Sequence, residues 1–128
     1  MSRQVSSQPT EVELQILRIL WSDGPSIARH IHDSLQEFKQ TTYSTTVKML
    51  SVMLDKELLK RDDDAKPQVY RPAAPQQRTQ KQMLVDLIDK VYDGSAAALM
   101  LHALSSKKAT TEELQAIRDL LDQLEDKQ

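Results

Sequence analysis

A chain of 128 residues, 39% hydrophobic and 4% aromatic, is sized for one compact domain or for a small domain with an appended oligomerisation segment. The absence of cysteine excludes disulfide scaffolds, thiolate metal sites and cysteine nucleophiles together. A formal charge of −2 excludes a generic polyelectrolyte binder. With no leader-like apolar segment and no apolar run near the roughly 18 residues a membrane span needs, the expectation is a cytoplasmic protein without membrane insertion.

Only two glycines amid abundant Leu, Lys, Glu, Gln and Ala predict a mainly α chain. Thr10 is a good N-cap, and Glu13 three residues on completes a capping box. Val12, Ile16, Leu17, Ile19 and Leu20 then form a broad inward stripe ending at Trp21. SDGPS (22–26) is a stop and restart signal, with Ser26 expected to cap a second helix whose inner stripe is Ile27, Ile31 and Leu35. A short polar connection at 37–40 leads to a third helix over about 42–56. Leu58–Arg61 and Gln68–Arg71 read as two short strands around the acidic turn Asp62, Asp63, Asp64, and Pro67 and Pro72 confine them to an edge hairpin. Three helices followed by a β-hairpin make a winged helix-turn-helix, placed at residues 1–74.

Residues 75–128 are expected to be a helical dimerisation region. Leu84, Leu87, Ile88 and Val91 share one side of a helix over 75–92. GSAAALMLHAL (94–104), with Leu99 and Leu101 inside it, is apolar nearly all round and is expected to be buried on every face. Thr111 is expected to cap a last helix whose Leu114, Ile117, Leu121 and Leu124 keep a/d spacing. A tail this small and this apolar makes a poor independent core, so pairing with a second copy is the economical arrangement.

The third helix carries the chemistry. Tyr43, Val47, Leu50 and Leu54 recur at helical spacing and predict its inward stripe, while Thr41, Thr42, Thr45 and Lys48 point the other way. Capping accounts for one or two hydroxyls at a helix start, but Thr41, Thr42, Ser44, Thr45 and Thr46 together exceed that need. Short hydroxyls reach base edges only when the backbone enters a groove, and helix-start N–H groups suit phosphate oxygens. Thr41 to Thr46, Tyr43 included, with Lys48 are therefore the candidate DNA contacts; Lys48 would reach guanine O6/N7 or a phosphate. Lys60, Arg61, Lys66 and Arg71 on the hairpin are candidate backbone-positioning contacts, or simply solvated charges. Tyr70 is expected to pack under the wing. His30 and His32 diverge on their helix and do not form a metal pair, and no phosphate-cradling loop or nucleophile elbow appears. No cofactor, no metal and no enzyme activity are expected. The balanced charge of residues 1–74 and the outward Val52 leave a second reading open, a winged-helix protein-interaction module without specific DNA binding.

TEVELQILRILW (10–21), TTV (45–47), VYRPA (69–73), GSAAALMLHAL and EELQAIRDLL (112–121) run in order along nearly the whole chain, and in this arrangement the sequence resembles the winged-helix penicillinase repressors. The resemblance implies a homodimeric repressor on a palindromic, double-stranded operator, with Thr45, Thr46 and Lys48 in the major groove and the tail helices forming the dimer. It also implies a signalling protease acting in the tail, at a position occupied here by His102 and Ala103 where the family has Asn-Phe. Two further departures are Glu57, where the family has Gly before the first wing strand, and Met49 and Val52, where many members have Thr and Arg. The copper-responsive relatives' cysteine-rich C-terminus is absent.

Overall fold

The computed structural model describes residues 8–127. Its elements are α1 (Glu11–Asp23), β1 (Ser26–Ile27), α2 (Ala28–Leu35), α3 (Tyr43–Asp55), β2 (Leu59–Asp62), β3 (Val69–Pro72), α4 (Gln76–Val91), α5 (Ala96–Ser106) and α6 (Thr111–Asp126). The small sheet is antiparallel in the order β1-β3-β2. This is a winged helix followed by a helical tail. The chain divides into two compact units between Met83 and Leu84. Among the described residues, no helix is long and apolar enough to cross a membrane.

The first unit closes around Ile16, Leu17, Leu20, Ile31, Leu35, Leu50, Met53, Leu59 and Tyr70, with Val12, Ile19, Trp21, Met49 and Leu54 packed at its margin. Tyr70 packs beneath the wing. Trp21 is half-buried against the core, and its ring N–H donates to the Ala74 carbonyl at 3.1 Å. The capping box at α1 forms as its residues predict: Glu13 N–H donates to Thr10 Oγ1 at 3.2 Å, and Thr10 N–H to Glu13 Oε1 at 2.9 Å. The same Oε1 also accepts from Lys56 Nζ at 2.6 Å. One carboxylate thus ties the start of α1 to the residue that ends α3.

Three local expectations need correction. Ser26 does not cap the second helix: it is buried in β1, paired with Tyr70, and its Oγ donates to the Gly24 carbonyl at 2.8 Å. The N-cap is Ile27, which has no side-chain cap. The wing strands sit one residue later than their hydrophobic pattern suggests, with Lys60 opposite Arg71 and Arg61 opposite Tyr70. The last helix is capped by Thr110, not Thr111, because Glu113 stands three residues after Thr110 and closes the box there. Those Thr110 hydrogen bonds hold the Glu113 carboxyl below its ordinary pKa.

Glu57 occupies the turn between α3 and β2 at φ +63°. The Leu58 N–H reaches back to the Met53 carbonyl at 2.9 Å, so the helix ends in a left-handed turn of the kind glycine serves best. The turn keeps a glycine-like backbone while carrying a side chain, at a cost of about 1 kcal/mol. Glu57→Gly is therefore expected to raise stability by about 1 kcal/mol. A urea titration should show a higher midpoint at unchanged slope, and a lower midpoint would refute the strain argument.

In the second unit, Ser95 caps α5 and the capping box at Thr110 starts α6. Side-chain burial is scarce there. No residue of α4, α5 or α6 is buried, and Leu101 is 68% exposed. The expectation that 94–104 is enclosed on every face is not met within one chain: Met100, Leu101 and Leu104 lie open to solvent.

Candidate nucleic-acid interface

α3 is turned relative to its hydrophobic pattern. The buried residues are Thr46, Leu50 and Met53, whereas Tyr43 and Val47 are each 37% exposed and Leu54 is intermediate. At 100° per residue the inward face is rotated by about 60° from the stripe that apolar spacing selects. The cause is a hydrogen-bonded threonine. Thr46 is 0% exposed, but its Oγ1 lies 2.8 Å from His32 Nδ1 and donates to the Thr42 carbonyl at 3.3 Å, so no polar group is stranded. Thr46, expected on the groove-facing surface, is thus a core residue with its hydroxyl already engaged.

The same histidine organises the turn into α3. Gln36 Nε2 stands 3.1 Å from His32 Nδ1 and donates to the His32 carbonyl at 2.9 Å, while Gln36 Oε1 accepts the Thr41 N–H at 2.9 Å. Thr41 is half-buried against this network. Thr42 is the N-cap: its Oγ1 accepts the Thr45 N–H at 3.2 Å, donates to Thr45 Oγ1 at 2.9 Å and lies 3.2 Å from Ser44 Oγ. Thr42, Ser44 and Thr45 are exposed, and so is Lys48 one turn on. The outward surface therefore runs through Ser44, Thr45, Lys48, Ser51, Val52 and Asp55.

Arg29, from α2, was not singled out by sequence because it stands twelve residues before the hydroxyl cluster. Its guanidinium lies 4.0 Å above the centroid of the Tyr43 ring, and His32 meets that ring edge-on at 5.5 Å. Among the described residues, no carboxylate pairs with Arg29, so its charge adds to the cationic start of α3. A small cavity of about 250 Å³ opens here, bordered by Arg29, Tyr43, Val47 and the wing residues Pro67, Gln68 and Tyr70.

The wing cations behave differently from one another. Lys60 and Arg71 are exposed and directly opposite across the β2–β3 ladder. Like charges so placed repel, an arrangement that an anion between them relieves. Arg61 lies opposite Tyr70 and donates from Nε to Asp63, a carboxylate that pushes its pKa up and partly neutralises it. Lys66 is exposed beside Pro67. His30 pairs with Asp23 at 2.8 Å.

On the tail, Leu84, Leu87, Val91, Leu101, Leu121 and Leu124 are exposed, while Ile88, Leu99, Leu114 and Ile117 are half-buried. His102 and Ala103 are exposed within α5, and His102 Nδ1 lies 3.3 Å from the Tyr92 hydroxyl.

Comparison with known proteins agrees with this architecture. The family model described as penicillinase repressor matches residues 9–123. A curated penicillinase repressor from Staphylococcus aureus is 20% identical over 115 residues, which span 90% of this chain and 91% of that protein.

Proposed function

Because the chain belongs to the penicillinase repressor family, we propose that it is a DNA-binding transcriptional repressor that acts as a homodimer on an inverted-repeat operator. One observation carries this reading: the first turns of α3 turn Ser44, Thr45 and Lys48 to solvent, with Arg29 on one flank. A helix start with solvent-exposed hydroxyls, a cation and the partial positive charge of its backbone N–H groups has the chemistry of a major-groove reader. Thr41, Thr42, Tyr43, Ser44, Thr45 and Lys48 make up the base-reading and groove-entry surface. Lys60 and Arg71, with Lys66 and Arg61 beside them, position the wing on phosphates.

Residues 75–128 are assigned to the dimer. Three helices with no buried residue, carrying Leu84, Leu87, Val91, Leu101, Leu121 and Leu124 in the open, expose apolar surface that a second tail would cover. Two winged helices tied this way would hold two half-sites at once, and repression follows from occupancy. Release would come from cutting the tail. The bond between His102 and Ala103 lies inside a helix, so a protease would act on it only after local opening of α5.

Lys48→Ala is expected to weaken specific binding by about 1–3 kcal/mol while leaving the fold intact, since the side chain is exposed. Titrating a duplex selected by the protein from a random pool measures this directly; unchanged affinity would remove Lys48 from the interface. The alternative reading, a protein-interaction module, draws on the balanced charge of residues 1–74 and on the exposed Val52. Salt separates the two, because phosphate contacts make log K fall steeply with log salt and an apolar protein contact does not.

A further inference from the structure

Val52 is 44% exposed on the outward surface of α3, a helix whose core side is already supplied by Thr46, Leu50 and Met53. Thr45, Lys48 and Val52 follow helical spacings of three and four, so a single ridge carries a hydroxyl, a cation and a branched apolar side chain in succession. Valine is a mediocre helix former, and one left 44% exposed contributes less to the fold than a fully buried one. Its neighbours on the helix surface are the exposed Lys48 and Asp55 and the half-buried Met49. That apolar area is about one side chain wide, far below the roughly 800 Å² that each partner of a stable protein complex contributes. It does match one feature of the major groove, where the C5-methyl group of thymine is the apolar mark among the donors and acceptors.

We propose that Val52 is a specificity-determining residue that packs against a thymine methyl, so that each operator half-site requires a thymine where the later turns of α3 meet the groove. This assignment rests on the DNA-reading function proposed above and adds to it a base preference that polar contacts alone would not produce. Lys48 and the hydroxyls read donors and acceptors; Val52 reads the presence of a methyl group.

The test uses the full chain and duplexes that it selects from a random pool. Each thymine of a selected duplex is replaced singly by deoxyuridine, which removes only the methyl, and affinities are read by fluorescence anisotropy. The expected result is one position per half-site where the replacement weakens binding roughly fourfold, the effect of one buried methyl. Val52→Ala should lose most of that sensitivity, and its thermal melt should match the unsubstituted protein because the side chain is exposed. Tolerance of uracil at every position, or an undiminished uracil penalty in Val52→Ala, would overturn the Val52 assignment alone. A selection that enriches no sequence would overturn the DNA-reading function itself, and the assignment with it.

Discussion

Leu101→Asp should convert the proposed dimer to monomers and weaken operator binding by two or more orders of magnitude. Among the described residues Leu101 is the most exposed large apolar one, at 68%, and sits in α5 among Met100 and Leu104, which are also open. Because the single chain leaves it in solvent, an aspartate there removes little packing from the protomer. In a paired tail the same carboxylate would be buried without a partner, an expensive arrangement unless it takes up a proton. The DNA effect follows from linkage: a tethered second module gains roughly 10²- to 10⁴-fold in avidity over a free one. Sedimentation velocity at several concentrations, with circular dichroism as the control for folding, reads the first effect, and titration of a selected duplex reads the second. A folded variant that stays dimeric would move the interface off α5.

Lys56→Met should cost about 3 kcal/mol or more, a large part of the roughly 5–15 kcal/mol that holds a small domain together. Glu13 and Lys56 meet at 2.6 Å with side chains only 8% and 10% exposed. Removing the cation leaves the Glu13 carboxylate nearly buried with the Thr10 N–H as its remaining strong donor. The pair need not be a large net stabiliser, since desolvating both ions offsets much of their attraction. For that reason the double change Glu13→Gln with Lys56→Met should recover most of the loss, the glutamine still closing the capping box. Urea denaturation of the two singles and the double completes the cycle. A Lys56→Met cost below about 1 kcal/mol would mean that water reaches the carboxylate and that the link from α1 to α3 matters little.

What could be read from sequence divides by distance along the chain. The Thr10–Glu13 box and the stop at Gly24 depend on neighbours within a few residues, and they stand where the pattern puts them. So does α3, which runs over Tyr43–Asp55 where the pattern puts a helix at about 42–56. β1 was invisible because two residues make no alternation; Ser26 looks like a cap until Tyr70, far along the chain, arrives to pair with it. The rotation of α3 has the same origin. Ranking Thr46 below Val47 for burial is correct on hydrophobicity and fails because His32, fourteen residues earlier, satisfies the hydroxyl. That rotation removes Thr46 from the candidate contacts and leaves Val47 outside, while Val52 faces outward as its position predicts. Arg29 and the Glu13–Lys56 pair were missed for the same reason, since neither lies near its partner in sequence. The Lys60–Arg71 opposition needed the register of the ladder, which no composition reveals.

The most direct test of a paired groove reader is a hydroxyl-radical footprint of the full chain on a duplex it has selected, repeated at increasing salt. The account predicts two protected segments related by a dyad, centred about one or two helical turns apart, fading together as salt rises. Protection of a lone unsymmetrical segment would contradict the dimer, and protection that ignores salt, or none at protein concentrations where the fold is intact, would contradict the reading of α3 and the wing.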